Sequence, residues 1–285
     1  GILGARFYFA DQIFVKALSS GDYAATEAKL QQALSLRGSS DIYHTAMARA
    51  YLVRASQLAQ ENKPDVQAVT DFLARAVNEA RVATDISPNA VAILENLATM
   101  YDNASQLVPE AADWSIKSLN QASELEPSNP VLMWRLGNSY MLQNNFAKAI
   151  EYYQKSINLK KDYVGAYVSL TGAYEANKEL DKAIEVYRNL LPLGANNSEI
   201  LFNFGRLLYN RGQKDDKANA EKLWLEAVRV QPNYSNALYS LGLLYESQGN
   251  KALALEYYYK VKELNPDNKD IIAKIRSLVA GATTE

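Results

Sequence analysis

The chain has no cysteine, a single histidine and no long apolar run, and each absence excludes a class of function. Without cysteine there are no disulfides, no thiol nucleophiles and no cysteine metal sites. His44 has no thiol partner for catalysis, and its place in the sequence pattern predicts a packed, structural role. No apolar stretch approaches the roughly 18 residues needed to cross a bilayer, so we predict no membrane insertion by this chain.

Charge is also unremarkable in amount, with 30 Lys and Arg against 32 Asp and Glu and a pI of about 5.7. Nucleic-acid-binding domains usually carry a concentrated basic face and a high pI, so nucleic acid is not a predicted partner. Carboxylate pairs such as Asp215 and Asp216 are interpreted as solvated charge at turns. No Gly-rich phosphate loop follows a strand. We therefore predict no enzyme activity, no cofactor and no metal site.

A segment of about 34 residues recurs along the chain. Its clearest copies begin at Leu136 (LGNSYMLQNNFAKAIEYYQKSI), Leu170 (LTGAYEANKELDKAIEVYRNLL) and Leu241 (LGLLYESQGNKALALEYYYKVKELNP). A period of this length indicates helix-turn-helix units, each of which buries its apolar face only by stacking on its neighbours. We call the first helix of each unit helix A and the second helix B.

Seven repeats and a terminal helix account for the chain. The repeats lie near residues 7–40, 41–90, 91–129, 130–163, 164–197, 198–234 and 235–268. In the second repeat helix B arrives late, which predicts two long helices, and an enlarged turn is predicted over 212–220. A capping helix over 269–280 is predicted to face inward with Ile271, Ile272, Ile275 and Leu278 and outward with Lys269, Lys274 and Arg276. The fold class is all-α: a right-handed α-solenoid forming one domain over residues 1–285.

Small residues stand where helix A must approach helix B, at Gly137, Gly205 and Gly242, and large tyrosines fill the space between helices. This pattern resembles the tetratricopeptide repeat family over nearly the whole chain. The resemblance implies a protein-interaction scaffold whose concave groove is lined by helices A. The carboxylate clamp of chaperone-binding members is absent, since Trp134 occupies one of its positions.

The resemblance also implies a set of groove residues. Carried over position by position, they are Glu95, Asn96, Trp134, Arg135, Asn138, Phe202, Asn203, Arg206, Tyr209 and Tyr239. We predict that this groove binds a protein or peptide. An acidic or carboxylate-bearing ligand suits the two arginines, because a guanidinium holds a carboxylate through two bonds at once. Self-association through the solenoid ends or exposed tyrosines is left open.

A second resemblance starts at GARFYFADQIFVKAL and includes the long second repeat. It is to the soluble C-terminal repeat region of some bacterial O-antigen ligase or polymerase-like membrane proteins. It implies that the chain leaves a membrane at Gly1 and acts as an extracytoplasmic accessory recognition domain of a glycan-processing enzyme. The missing initiator methionine is expected of a processed or excised piece. The compartment, the organism and the ligand stay open.

Overall fold

The computed structural model describes residues 2–282, and within that range the chain forms fifteen helices and no strand. The predicted all-α class, built from helix-turn-helix repeats, is confirmed. None of the described helices is both long and apolar enough to cross a bilayer. The same residues contain no group of three or more His, Asp or Glu side chains that could hold a metal ion.

The helices divide between two compact units. The first unit, Gly1–Lys161, contains α1 (Ile2–Leu18), α2 (Tyr23–Leu36), α3 (Asp41–Ala59), α4 (Val66–Ile86), α5 (Val91–Ala104), α6 (Ala111–Leu125), α7 (Pro130–Leu142) and α8 (Phe146–Leu159). The second unit, Asp162–Glu285, contains α9 (Val164–Ala176), α10 (Leu180–Gly194), α11 (Ser198–Arg211), α12 (Asp216–Val230), α13 (Ser235–Ser247), α14 (Lys251–Leu264) and α15 (Lys269–Ala282). Assignment of the chain to one domain stays a prediction.

Short polar side chains define many helix starts. Side-chain oxygens accept a hydrogen bond from a first-turn N–H at Asp22, Ser40, Asp65, Asn129, Asn145, Asn197 and Asn250. These bonds satisfy N–H groups that the first turn of a helix leaves without a partner. Three tight turns between helices A and B use a residue with positive φ, namely Asn144 (56°), Lys178 (60°) and Gly249 (76°). Glycine adopts that conformation without steric cost.

Six of the helices A begin at the first residue of a predicted repeat, namely α3, α5, α7, α9, α11 and α13. The pair α3 and α4 is the long one, with 19 and 21 residues, as the late helix B of the second repeat predicted. Helix α1 begins at Ile2, before the predicted start at Phe7. No proline interrupts that segment, and Arg6 ties it to α2 by donating from Nη2 to the carbonyl oxygen of Ser35 at 2.9 Å.

The enlarged turn predicted over 212–220 is wrong in its extent, because α12 already begins at Asp216. The carboxylate of Asp216 accepts hydrogen bonds from Nε and Nη2 of Arg211, both at 2.8 Å, and from the backbone N–H of Gln213 at 2.9 Å. Asp216 is 2% exposed, so its interpretation as solvated charge is wrong as well. The buried ion pair closes the turn and lets helix B start early.

His44 joins neighbouring helices, as its predicted structural role requires. Its Nδ1 lies 2.6 Å from Oε2 of Glu79 on α4, and its Nε2 lies 3.0 Å from the carbonyl oxygen of Gly38. The side chain is only 13% exposed. The ring therefore fastens α3 both to α4 and to the connection that precedes α3.

Helices A and B of one repeat come closest at a glycine, as predicted. A Cβ atom placed on Gly205 would lie 2.6 Å from Nε1 of Trp224, well inside van der Waals contact. Trp224 is 3% exposed, so its ring occupies the space that a side chain at this position would need. The same arrangement recurs, and the three pairs are Gly137 with Tyr153, Gly205 with Trp224, and Gly242 with Tyr258.

The terminal helix α15 packs on α14. Ile271 and Ile275 are buried, as predicted, whereas Ile272 and Leu278 are half-buried. Lys274, predicted to face outward, is the exception. Its side chain is 31% exposed and its Nζ lies 2.9 Å from Oε2 of Glu246 on α13. The helix is therefore held by an apolar face and by one ion pair.

Replacement of Gly205 by alanine is expected to lower the free energy of unfolding by about 1–3 kcal/mol, because the new Cβ must displace the buried ring of Trp224. Gly172 provides the control within the same unit, since a Cβ there would meet nothing within 4 Å. Gly172→Ala is expected to stabilise by about 0.4–1 kcal/mol, through the lower entropy of the unfolded chain. Urea unfolding of both variants measures the difference, and equal stabilities would contradict the tight contact at Gly205.

Candidate functional site

Polar side chains join neighbouring helices A within the first unit. Glu95 on α5 accepts a hydrogen bond at 3.3 Å from Nη1 of Arg135 on α7, and Thr99 accepts one at 2.7 Å from Nη2 of the same guanidinium. One turn further along α5, Oδ1 of Asp102 accepts from Oγ of Ser139 at 3.0 Å. The side chains of Arg135 and Glu95 are 16% and 26% exposed. The arginine charge is therefore neutralised inside the fold.

The second unit repeats this arrangement. Nη2 of Arg206 on α11 donates to both carboxylate oxygens of Glu175 on α9, at 3.0 and 2.9 Å. Nε of Arg206 also lies 3.5 Å from Oδ1 of Asn203, at the outer limit of a hydrogen bond. Glu246 on α13 pairs with Lys274 on α15 at 2.9 Å. Charged side chains of these helices A therefore form ion pairs with the neighbouring helix A or with α15.

A cleft of about 540 Å³ lies beside these pairs in the second unit, and we call it the helix-A cleft. Its lining consists of Arg206, Tyr209, Asn210, Trp224, Ser240, Leu243, Glu246, Ser247 and Lys274. The rings of Tyr209 and Trp224 lie 5.5 Å apart and form its aromatic side. Asn210 and Ser240 form no side-chain hydrogen bond with any residue in the described part of the chain, so an amide and a hydroxyl remain for a ligand.

Glu246 provides the carboxylate in the lining of this cleft. The hydroxyl of Tyr258 and Nζ of Lys274 both donate to its Oε2. The Tyr258 hydrogen bond, followed by that of Lys274, lowers the pKa of Glu246. Burial is the main cause that raises the pKa of Tyr258, and Nζ of Lys274 lies 5.5 Å from the centre of that ring. At neutral pH the ionised carboxylate of Glu246 is therefore held by the neutral hydroxyl of Tyr258 and by Nζ of Lys274.

Comparison with known proteins identifies the repeat. A family model described as tetratricopeptide repeat matches residues 135–163 and 235–268. The structure also resembles that of the C-terminal part of a TPR repeat-containing protein from Cytophaga hutchinsonii, with a TM-score of 0.67 and 18% sequence identity, covering 94% of this chain and 98% of the other. The chain therefore contains tetratricopeptide repeats, matched directly in these two segments, and shares the overall fold of such proteins. The fold of that family is generally a non-enzymatic scaffold.

Other similar proteins match a smaller part of this chain. YrrB, described as a TPR protein with an unusual peptide-binding site, shares 20% identity and a TM-score of 0.50 over 69% of this chain and 97% of YrrB. Anaphase-promoting complex subunit 3 of Schizosaccharomyces pombe is 22% identical over 67% of this chain and 27% of the relative. The human protein O-mannosyl-transferase TMTC3 is 22% identical over 53% of this chain and 18% of the relative. This chain therefore spans less than a third of either curated relative.

Two predicted groove asparagines of the tetratricopeptide array are already engaged in the first unit. Asn96 is 8% exposed, and its Oδ1 lies 3.4 Å from Nε of Arg49 on α3. Its Nδ2 is buried and has no hydrogen-bond partner among the described residues. Oδ1 of Asn138 accepts from the hydroxyl of Tyr153 at 2.8 Å, while Trp134 is half-buried. Both asparagine oxygens are therefore already engaged by other side chains of the fold.

The predicted residues of the second unit separate into two groups. Arg206 and Tyr209 line the helix-A cleft. Phe202 instead packs edge-on against Tyr234, with ring centres 5.7 Å apart, and Tyr239 lies 6.0 Å from a tyrosine ring of α14. These two aromatic side chains contribute mainly to packing between helices.

Lys274 was predicted to face outward, although its position in the repeat pattern favours a place in the groove. Lys274 is the sixth residue of α15, and Arg135 is the sixth residue of α7. Extending the tetratricopeptide frame into the terminal helix would therefore have assigned Lys274 to the same face as Arg135. Leu243 is the ninth residue of α13, as Arg206 is of α11, so the same frame would have assigned it to the groove. Trp224 gave no comparable signal, because it stands at a position that normally packs between helices.

Acidification is expected to loosen α15 from the tetratricopeptide array. Because the folded-state pKa of Glu246 is lowered, its stabilising contribution is complete above the ordinary carboxyl value of 4.5 and is lost as the pH falls through the lower folded value. Amide-exchange protection of α15 between pH 7 and pH 3 measures this effect. Glu246→Gln should remove the pH-dependent component, whereas Glu263→Gln, at an exposed site on α14, should behave as the wild type. Identical profiles for all three proteins would contradict the role of this ion pair.

Proposed function

We propose that the chain is a non-catalytic scaffold that binds a segment of a protein partner on its helices A, with the helix-A cleft as the main contact. Tetratricopeptide repeats support a role in protein interaction, and YrrB offers a peptide-binding neighbour of the same fold. The observation that carries the proposal is the cleft of about 540 Å³, which combines aromatic and apolar lining with an unpaired amide and hydroxyl. Ligand sites typically combine an apolar surface with a few such polar groups.

Because the two predicted groove arginines already form ion pairs within the fold, the ligand that we propose is not the predicted acidic one. The acidic or carboxylate-bearing partner was predicted from Arg135 and Arg206, yet both already bind internal carboxylates. A ligand carboxylate would have to displace one of these partners and leave it uncompensated in a partly buried position, which costs free energy. We therefore propose that the segment bound in the cleft carries no net charge.

The remaining groups of the cleft indicate how such a segment is held. Leu243 and the ring of Tyr209 provide an apolar surface for one large side chain, and the buried ring of Trp224 lies beneath it. Asn210 and Ser240 are placed to exchange hydrogen bonds with the backbone of the same segment. Buried aromatic side chains at the centre of an interface contribute a large share of binding energy, and the polar groups fix orientation.

The alternative role, as an extracytoplasmic accessory domain of a membrane glycan ligase, gains no support from the described residues. Gly1, at which that alternative places the exit from the membrane, lies outside them. Self-association likewise stays a prediction. We therefore base the experiment on the cleft alone.

Replacing Leu243 by arginine is expected to abolish partner binding, since the half-buried leucine would become a long charged side chain across the cleft. Leu225→Arg is the matched control, because Leu225 lies on α12, is 39% exposed and is not part of the lining. Partners captured from a native extract by the wild type are identified, and their affinities for the three proteins are measured by calorimetry. Circular dichroism and thermal unfolding check that each variant is folded.

A loss of at least about tenfold in affinity for Leu243→Arg, with no change for Leu225→Arg, is the expected result and corresponds to about 1.4 kcal/mol. Equal affinity of both variants would remove the helix-A cleft as the binding site. Failure of the wild type to retain any protein above an unrelated control would contradict the scaffold function itself.

A further inference from the structure

A second surface of the first unit lies on the side of helices B. Two adjoining clefts, of about 480 and 280 Å³, share Val77 on α4, Tyr101 on α5 and Trp114 on α6. We call them together the helix-B groove. The wider end adds Arg81, Thr84, Asp85, Leu97, Lys117, Ser118 and Gln121. The narrower end adds Thr70, Leu73, Ala74, Ala104, Leu107, Val108 and Ala111.

The groove arises from two irregularities of the repeats. Helix α4 has 21 residues while α6 has 15, so α4 extends past its neighbour. The connection between α5 and α6, residues 105–110, is longer than the three-residue turns of the regular repeats. That connection places Leu107 and Val108 at the narrower end, where they are 42% and 36% exposed. A regular repeat has neither the extended wall nor this apolar loop.

The narrower end is suited to one large apolar side chain. Every residue of its lining except Thr70 is apolar or aromatic. Trp114 forms one edge, is 48% exposed, and rests on Tyr101 with ring centres 5.4 Å apart. A dry cavity of roughly 150 Å³ already accepts a benzene ring, so 280 Å³ is ample for an aromatic or branched side chain. Tryptophan at such an edge is a typical binding hot spot.

The walls of the groove favour a helical ligand over an extended one. Three walls are α-helices, whose backbone N–H and C=O groups are already paired within the helices. In the connection that completes the lining, the N–H groups of Leu107 and Val108 both donate to the carbonyl oxygen of Ala104. An extended segment laid along the apolar end would bury its own backbone groups without partners, which is costly. A helix satisfies those groups internally and presents side chains three and four residues apart to the groove.

Two basic side chains at the wider end indicate the charge of the ligand. Arg81 on α4 and Lys117 on α6 are exposed, line the same cleft, and have no hydrogen-bond or ion-pair partner anywhere in residues 2–282. Asp85 lies one turn along α4 from Arg81, so the rim keeps a net charge of +1. Arg81 stands eight residues after Leu73, which is roughly 12 Å along a helix. A carboxylate two turns from an apolar anchor would reach these cations.

From these observations we propose that the helix-B groove docks an amphipathic acidic helix of a partner protein. One bulky apolar side chain of that helix enters the narrower end beside Trp114. A glutamate or aspartate about two turns away pairs with Arg81 and Lys117. This surface is separate from the helix-A cleft, so the two sites can be tested independently.

A displayed library of helical peptides provides the defined probe. Alanine-rich peptides are randomised on one face and selected on the full chain, and the enriched peptides are then measured against the Ala74→Arg variant. Ala74 is exposed and lines the narrower end, so arginine there fills the apolar pocket without entering the core. Ala147→Arg, at an exposed site on α8, is the matched control and should bind every selected peptide as the wild type does.

The selected peptides are expected to carry an aromatic or branched residue with a carboxylate seven or eight positions away. Ala74→Arg should weaken their binding at least about tenfold. With 5-fluorotryptophan incorporated, the fluorine signal of Trp114 should shift on peptide addition, while those of the other two tryptophans stay in place. Leu243→Arg in the helix-A cleft should leave the affinity unchanged.

Charge reversal tests the acidic component. In the double variant Arg81→Glu, Lys117→Glu, the affinity for the selected peptide should fall at least about tenfold, and a version of the peptide with lysine in place of the carboxylate should bind better than the original. The proposal is overturned if no enriched peptide depends on Ala74, if enriched peptides lack a carboxylate at that spacing, or if the charge-reversed protein does not prefer the lysine peptide.

Discussion

The close approach of helix A to helix B is the contact on which the rest of this structure depends. At Gly137, Gly205 and Gly242 the absence of a side chain lets a buried ring from helix B lie against the backbone of helix A. Core packing tolerates little added volume, so this contact fixes both the separation and the rotation of the two helices. With that rotation set, the remaining faces of helix A can only meet the neighbouring helices or solvent. The positions available for binding are therefore a consequence of the glycine contact.

One of these faces carries a regular set of carboxylates. Asp102, Glu175 and Glu246 each stand twelfth from the start of their helix A, and each accepts a hydrogen bond from the following helix A or the cap. The contacts of Glu175 and Glu246 are partly exposed ion pairs, which contribute little net stability, of the order of 0–1 kcal/mol each, whereas Asp102 accepts from the hydroxyl of Ser139. Their effect is mainly to specify which helices lie side by side. They also leave the face nearly neutral, and this is why a charged ligand has little to gain there.

Local spacing explains what the sequence predicted correctly. The starts of α3, α5 and α7 and the long pair α3 and α4 follow from the distance between apolar and small positions, which is a property of residues close together in the chain. The early start of α12 depends on the Arg211 to Asp216 ion pair, a contact that periodicity does not encode. The engagement of Arg135 and Arg206 was missed for a similar reason. The repeat pattern predicts the face of the helix on which a side chain lies. It does not predict which side chain of another helix will contact it.

Departures from the repeat are consequently the most informative positions for function. A regular unit offers the same surface at each step, so it cannot by itself favour one place on the chain over another. The helix-B groove exists because α4 is long and residues 105–110 add an apolar connection. The helix-A cleft is bounded by Lys274, which α15 contributes at the position that Arg135 holds in α7. At the helix-B groove the regular packing of the array is interrupted, and apolar surface that a regular repeat would bury stays open to a partner.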